Sequence, residues 1–146
     1  MVVTITNAQH RTPVSTQRMA QLARCAIRRL RIRTPGTLAI TFVNSRRMRV
    51  VNQRFLHHDR TTDVISFRYD GESTAGEILI DPSMARRYAK AHGVPYPEEL
   101  ARYVVHGLLH WLGRQDRTAA QQRQMRRAEN DLLMSCGFKK LGTRSQ

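Results

Sequence analysis

His106 and His110 stand four residues apart in the segment His106-Gly107-Leu108-Leu109-His110-Trp111-Leu112-Gly113-Arg114-Gln115-Asp116. Side chains at i and i+4 of an α-helix lie one above the other, so both imidazoles share a face. Gly113 offers the left-handed backbone at which many helices stop. A chain that reverses there can bring Asp116 back as a third ligand. Two imidazole nitrogens, one carboxylate oxygen and an open fourth position describe a catalytic zinc site rather than a structural one. The flanking Val104, Val105, Leu108, Leu109 and Leu112 make this helix central, and buried imidazoles need partners. The competing reading is a pair of satisfied core histidines.

The chemistry of such a site is hydrolysis. An ion held by His106, His110 and Asp116 lowers the pKa of water at its open position and polarises a phosphoryl oxygen. The Glu of H-E-x-x-H is absent, which counts against peptide hydrolysis. A base has to come from elsewhere, and Asp59, Asp63 and Glu77 are the available acids. Each also has a structural reading, Asp63 in the turn into a strand and Glu77 opposite an arginine. His57 and His58 are candidates for phosphate binding or proton donation, or simply members of a polar loop.

Composition narrows the partner. The 146 residues carry 25 basic and 11 acidic side chains, a net charge of +14, and all the basic residues except Lys90, Lys139 and Lys140 are arginine. GC-rich coding accounts for a choice of Arg over Lys but not for the excess of positive charge. That field attracts polyanions, and guanidinium groups suit bidentate phosphate contacts, so RNA or DNA is favoured over an anionic membrane. No apolar run reaches the length of a membrane span, and no signal-peptide pattern opens the chain, so a cytoplasmic location is expected. Cys25 and Cys136 lack C-x-x-C spacing and are expected to be small buried residues, not a disulfide.

The remaining segments form the frame. Val2 to Thr6 reads as a strand, and Ser15 as the cap of a helix with Met19, Leu22, Ala23, Ala26, Ile27 and Leu30 inside. Thr37 to Val43 reads as a strand, then Asn44 or Ser45 caps a basic helix with Met48, Val51 and Phe55 inward. A turn spans His57 to Arg60. Strands follow at Thr62 to Tyr69 and Gly76 to Asp81. Asp81-Pro82 starts a helix that Gly93 and Pro95 end. Pro97-Glu98-Glu99 opens the histidine helix, and Thr118 with Gln121 makes a capping box for the last. The fold class is α+β: one domain over residues 1–146, about four strands in a mixed sheet covered by several helices. The metal site sits at the end of a central helix, and residues 138–146 are expected as a flexible tail.

Taken in order, several segments resemble the YbeY-type endoribonucleases of ribosomal RNA maturation. They are Asn52-Gln-Arg-Phe55-Leu-His-His-Asp59-Arg-Thr-Thr-Asp63-Val-Ile-Ser-Phe67, Gly76-Glu77-Ile78, Glu98-Glu99-Leu100, the His106 to His110 helix with Gly113, and Met125-Arg126-Arg127-Ala128-Glu129. They span about residues 38 to 137. The resemblance implies one Zn2+ ion, or another divalent metal, on His106, His110 and Asp116. It also implies a single-strand endoribonuclease acting on ribosomal RNA in ribosome maturation and quality control, with small-subunit proteins as further partners. The chain departs from the pattern in two places. Asp116 stands where the family's common form has a third His, and Arg114-Gln115 replaces Tyr-Asp. Asp adds negative charge, weakens the ion's Lewis acidity and relaxes discrimination against harder metals. Leu56 stands where many members have a phosphate-binding Arg, and Arg54, Arg60 and Arg68 are the candidates to replace it.

Aromatic residues offer stacking platforms for bases. Phe55, Phe67 and Trp111 fit the core, whereas Tyr69 beside Arg68 can stack a base. The alternative function is a non-catalytic RNA-binding ribosome-assembly factor with a structural metal, which needs no open coordination position. A two-His-one-carboxylate oxygenase holding iron calls for more strands than this chain supplies.

Overall fold

The computed structural model describes residues 1–55, 63–69 and 74–138. Four strands, β1 (Val2–Asn7), β2 (Thr37–Phe42), β3 (Val64–Arg68) and β4 (Thr74–Ile80), form one sheet in the order β1-β2-β4-β3. β1, β2 and β4 run parallel, and β3 pairs antiparallel with β4 along the sheet edge. Five helices accompany them: α1 (Thr16–Arg29), α2 (Ser45–Phe55), α3 (Pro82–His92), α4 (Tyr96–Trp111) and α5 (Ala119–Ser135). The expected α+β class and mixed sheet are what the chain adopts.

Period-two alternation divides the sheet into two faces. Leu38, Ile40, Phe42, Ile78 and Ile80 point into the main core with the apolar faces of α1 and α4. Ile65, with Phe67 and Leu79 beside it, joins Val43, Met48 and Val51 in a smaller cluster under α2. α2 therefore lies across the sheet from α4, and that separation decides which side chains can meet.

Helix termini follow the expected chemistry. Ser15 accepts the Arg18 N–H, and Asp81 caps α3 ahead of Pro82. The capping box of Thr118 and Gln121 is present at α5. Asn44 rather than Ser45 caps α2, accepting the Arg47 N–H at 2.8 Å. Ser45 instead donates to Asp81, tying the starts of α2 and α3 together.

Three expectations fail. Phe55 is 59% exposed, because the inward stripe of α2 ends at Val51 and Asn52. Phe138 is only 7% exposed and lies under the Arg18 guanidinium, so the tail cannot begin there. Cys25 and Cys136 form a disulfide, with Cα atoms 5.9 Å apart, inside the bonding range. Compartment and spacing gave no sign of it, because α1 and the end of α5 become neighbours only in the fold.

α4 lies unusually close to the sheet, and glycines make this possible. A Cβ on Gly107 would sit 2.7 Å from Ile78 Cγ2 and 2.9 Å from Val64 Cγ1. Ser66 then donates to the Gly107 carbonyl at 2.8 Å, fastening β3 to the helix beside His106. Gly76 similarly leaves room for Trp111, whose indole N–H donates to the Ala75 carbonyl.

Candidate metal centre

α4 ends with Leu112 at its cap, and Gly113 follows with φ 101°, a value that glycine adopts without strain. The Gly113 and Arg114 N–H groups donate back to the His110 and Leu109 carbonyls, and the chain turns over the helix end. Asp116 returns as a result. Its Oδ2 lies 3.4 Å from His110 Nε2 and 3.7 Å from His106 Nε2. One ligand atom from each of the three residues falls within 4.8 Å of the others, and all three side chains are partly exposed. Two neutral imidazoles and a carboxylate are a donor set for a divalent transition metal, and the spacing fits a single ion. Among the described residues no further His, Cys or carboxylate joins the group.

Behind His106 runs a buried chain of charges. Glu129 of α5, 1% exposed, pairs with His106 Nδ1. Its other oxygen accepts from Arg102 Nη1 at 2.9 Å. Arg102 also donates to both oxygens of Glu99, at 3.2 and 3.3 Å. Burial disfavours the Glu129 carboxylate, yet the His106 hydrogen bond and the Arg102 charge outweigh it and hold the group below its ordinary range. Glu99 has the same cation without the imidazole. There burial wins, and its pKa is pushed up to about 7. An ionised Glu129 accepts a proton carried on Nδ1, while Nε2 faces Asp116. Such a carboxylate partner fixes the tautomer and ring orientation of a metal-ligating histidine.

Beside His106 and Asp116 lies a polar cavity of about 250 Å³ lined by Asp63, Arg102, His106, Asp116, Gln122, Met125, Arg126 and Glu129. Two of the three candidate ligands therefore open onto a space where a substrate can sit.

The family model described as Endoribonuclease YbeY matches residues 4–137. The chain belongs to the YbeY endoribonuclease family. It is 36% identical over 102 residues to the Endoribonuclease YbeY of Flavobacterium psychrophilum, covering 69% of this chain and 73% of that one. It is 34% identical to that of Bacteroides thetaiotaomicron, covering 67% and 72%. The solution structure of TM1509 from Thermotoga maritima matches it with a TM-score of 0.62, covering 98% of this chain and 100% of that chain at 19% identity, which shows the same fold.

For this YbeY-family chain the structure distributes the sequence candidates unevenly. His106, His110 and Asp116 come together, and Asp63 shares the cavity wall with His106 and Asp116. Glu77 does not. It lies on the far face of the sheet with Val51 and Phe55 of α2, where it accepts the Tyr69 hydroxyl at 3.0 Å. Tyr69 belongs to that far groove too. Arg54 is exposed on α2, again across the sheet. Arg68 reaches the end of α4, donating to the Trp111 carbonyl and covering its ring. Leu56, His57, His58, Asp59 and Arg60 lie outside the described residues.

Sequence reasoning gave no site role to Glu129 or Arg102, and read Glu99 only as a carboxylate at the start of the histidine helix. A signal for Glu129 existed. It shares the inward face of α5 with Met125, Leu132 and Leu133, and a carboxylate among apolar positions needs a partner. Glu99 and Arg102, three apart on a buried stretch of α4, carry the same message.

Proposed function

We propose that this chain is a metal-dependent single-strand endoribonuclease acting in ribosomal RNA maturation and quality control. Zinc is the favoured ion, with His106, His110 and Asp116 as its ligands, and small-subunit ribosomal RNA and its proteins are the partners. The observation that carries this reading is the convergence of His106 Nε2, His110 Nε2 and Asp116 Oδ2 beside a polar cavity in a YbeY-family chain.

A divalent ion in that position, when bound, supplies Lewis acidity and an acidified water. The chain does the rest. Glu129 and Arg102 hold His106 in one tautomer and one orientation. Asp63 presents a carboxylate to the cavity, the right group to accept the proton of an attacking water. The surrounding arginines draw the polyanion in and make its binding depend on salt. No described helix is long and apolar enough to cross a membrane, and a cytoplasmic site of action suits a ribosomal substrate.

The alternative of a structural metal in a non-catalytic RNA binder calls for a closed shell. Among the described residues the group stops at three ligands beside a cavity, which favours the open arrangement that hydrolysis needs. Element analysis of the purified protein and cleavage of single-stranded ribosomal RNA fragments test the proposal. Wild type should carry close to one zinc per chain and cut. His106→Ala and His110→Ala should lose both properties. Undiminished cutting by folded His106→Ala would sink the reading, and RNA binding without turnover under several divalent metals would favour the assembly factor.

A further inference from the structure

The cavity beside the candidate ligands has one wall built from a single helix. Gln122, Met125, Arg126 and Glu129 fall at one-turn spacings on α5 and all line it. Met125 is buried in the core and Glu129 is committed to His106 and Arg102. Gln122 and Arg126 are half-buried and meet the open space.

Charge shows what that wall is for. Among the described residues the lining carries three carboxylates, Asp63, Asp116 and Glu129, against two guanidinium groups, Arg102 and Arg126. Arg102 is already neutralised, gripped by Glu99 and Glu129. Arg126 makes no ion pair with a carboxylate among the described residues. Among the described residues it is thus the cavity cation still able to meet an incoming anion. The arginines named from sequence are placed less well. Arg54 is across the sheet, Arg68 is docked on Trp111, and Arg60 lies outside the described residues.

We propose that Arg126, assisted by Gln122, is the phosphate-binding residue of this site, gripping the non-bridging oxygens of an internucleotide phosphate of single-stranded RNA. This rests on the nuclease reading for the identity of the ligand. A planar guanidinium offers two parallel N–H bonds to those oxygens, and the Gln122 amide adds a donor one turn earlier. The cavity of about 250 Å³ has room for a phosphate group with water around it. The grip lies on the same helix as Glu129, so α5 both orients a candidate metal ligand and holds the substrate against it.

The test measures binding of a single-stranded 2′-O-methyl oligoribonucleotide, which resists cleavage, to the zinc-loaded protein across a salt series. Arg126→Gln should weaken binding about tenfold and lower the magnitude of the log–log salt slope by about 0.7, the share of one phosphate contact. Arg126→Lys should restore the slope but only part of the affinity, because an ammonium keeps the charge and loses the fork. Gln122→Ala should weaken binding about threefold with the slope unchanged, because the hydrogen-bond donor it removes carries no charge. With unmodified RNA, Arg126→Gln should raise KM more than it lowers kcat. Thermal unfolding confirms that each variant is folded. Wild-type affinity and slope in Arg126→Gln overturn the proposal, as does wild-type protein that does not bind the probe. Cutting that persists with unchanged KM removes this role and leaves the nuclease reading. Arg126-dependent binding without any cutting removes the nuclease reading and leaves the phosphate grip.

Discussion

Glu129 holds His106 from behind, its carboxylate on Nδ1 while Nε2 faces Asp116. Its outer oxygen is fixed by Arg102, so the imidazole is oriented by a group that cannot itself swing. Glu129→Gln keeps the size and one acceptor oxygen but removes the charge that favours the Nδ1–H tautomer. Loss of such a partner typically weakens metal binding about 10- to 100-fold. Competition with a zinc-binding dye should show that loss in a protein whose fold, by circular dichroism, is unchanged. Wild-type zinc affinity in Glu129→Gln would show that the contact is not an orienting one.

Glu99 predicts a pH dependence of stability. Its folded pKa, about 7, stands above the ordinary 4.5, chiefly because it is buried. A raised pKa means that the folded state binds the proton more tightly than the unfolded chain. The associated stability is complete below pH 4.5 and drains away as pH rises to about 7. Glu99→Gln removes this titration, so wild type should lose ground to the variant across that window, by roughly 3 kcal/mol at most. Urea unfolding of both proteins from pH 4.5 to 8 gives the difference, in which the histidines common to both cancel. Parallel profiles would contradict it.

Gly107 predicts a steric penalty. An added methyl would come within 2.9 Å of Ile78 and Val64, both held by the sheet. Ala gains roughly 1 kcal/mol of helix propensity over Gly, yet forcing a methyl into filled core costs about 1–3 kcal/mol. Gly107→Ala should be destabilised overall, and α4 should lift enough to disturb His106 next to it. Denaturant melts and zinc affinity should fall together. A variant as stable as wild type would mean that α4 does not ride this close to β3 and β4.

These relationships differ in how far the sequence announced them. The imidazole pair, Gly113 and Asp116 were legible because one helical turn and one left-handed residue fix their geometry locally. The caps at Ser15, Asp81 and Thr118 were legible for the same reason. Glu77 and Asp63 looked alike as candidate bases, and only the strand pairing separated them, since it sends Glu77 to the α2 face. Phe55 was misread because the periodicity of a short helix does not show where its partner surface ends. Arg102 is held by residues on two helices, and that convergence depends on the packing of α4 against α5. Arg126 carries no local mark at all; its setting comes from the cavity those two helices enclose.

Cys25 and Cys136 offer the last prediction. They lie 111 residues apart in sequence and join α1 to the cap of α5. Closing so long a loop restricts the unfolded chain strongly, and disulfides of this kind commonly contribute about 2–4 kcal/mol. The bond also anchors the helix that carries Glu129 and Arg126. Protein prepared under oxidising conditions should show no free thiol after denaturation and should unfold at lower urea once dithiothreitol is added. Cys25→Ser should unfold like the reduced wild type and be indifferent to reductant. In a reducing cytoplasm the pair would stand as thiols, so zinc affinity should survive reduction even as global stability falls. Two free thiols in the oxidised preparation, or a melt that dithiothreitol leaves unmoved, would show that the two helices are held by packing alone.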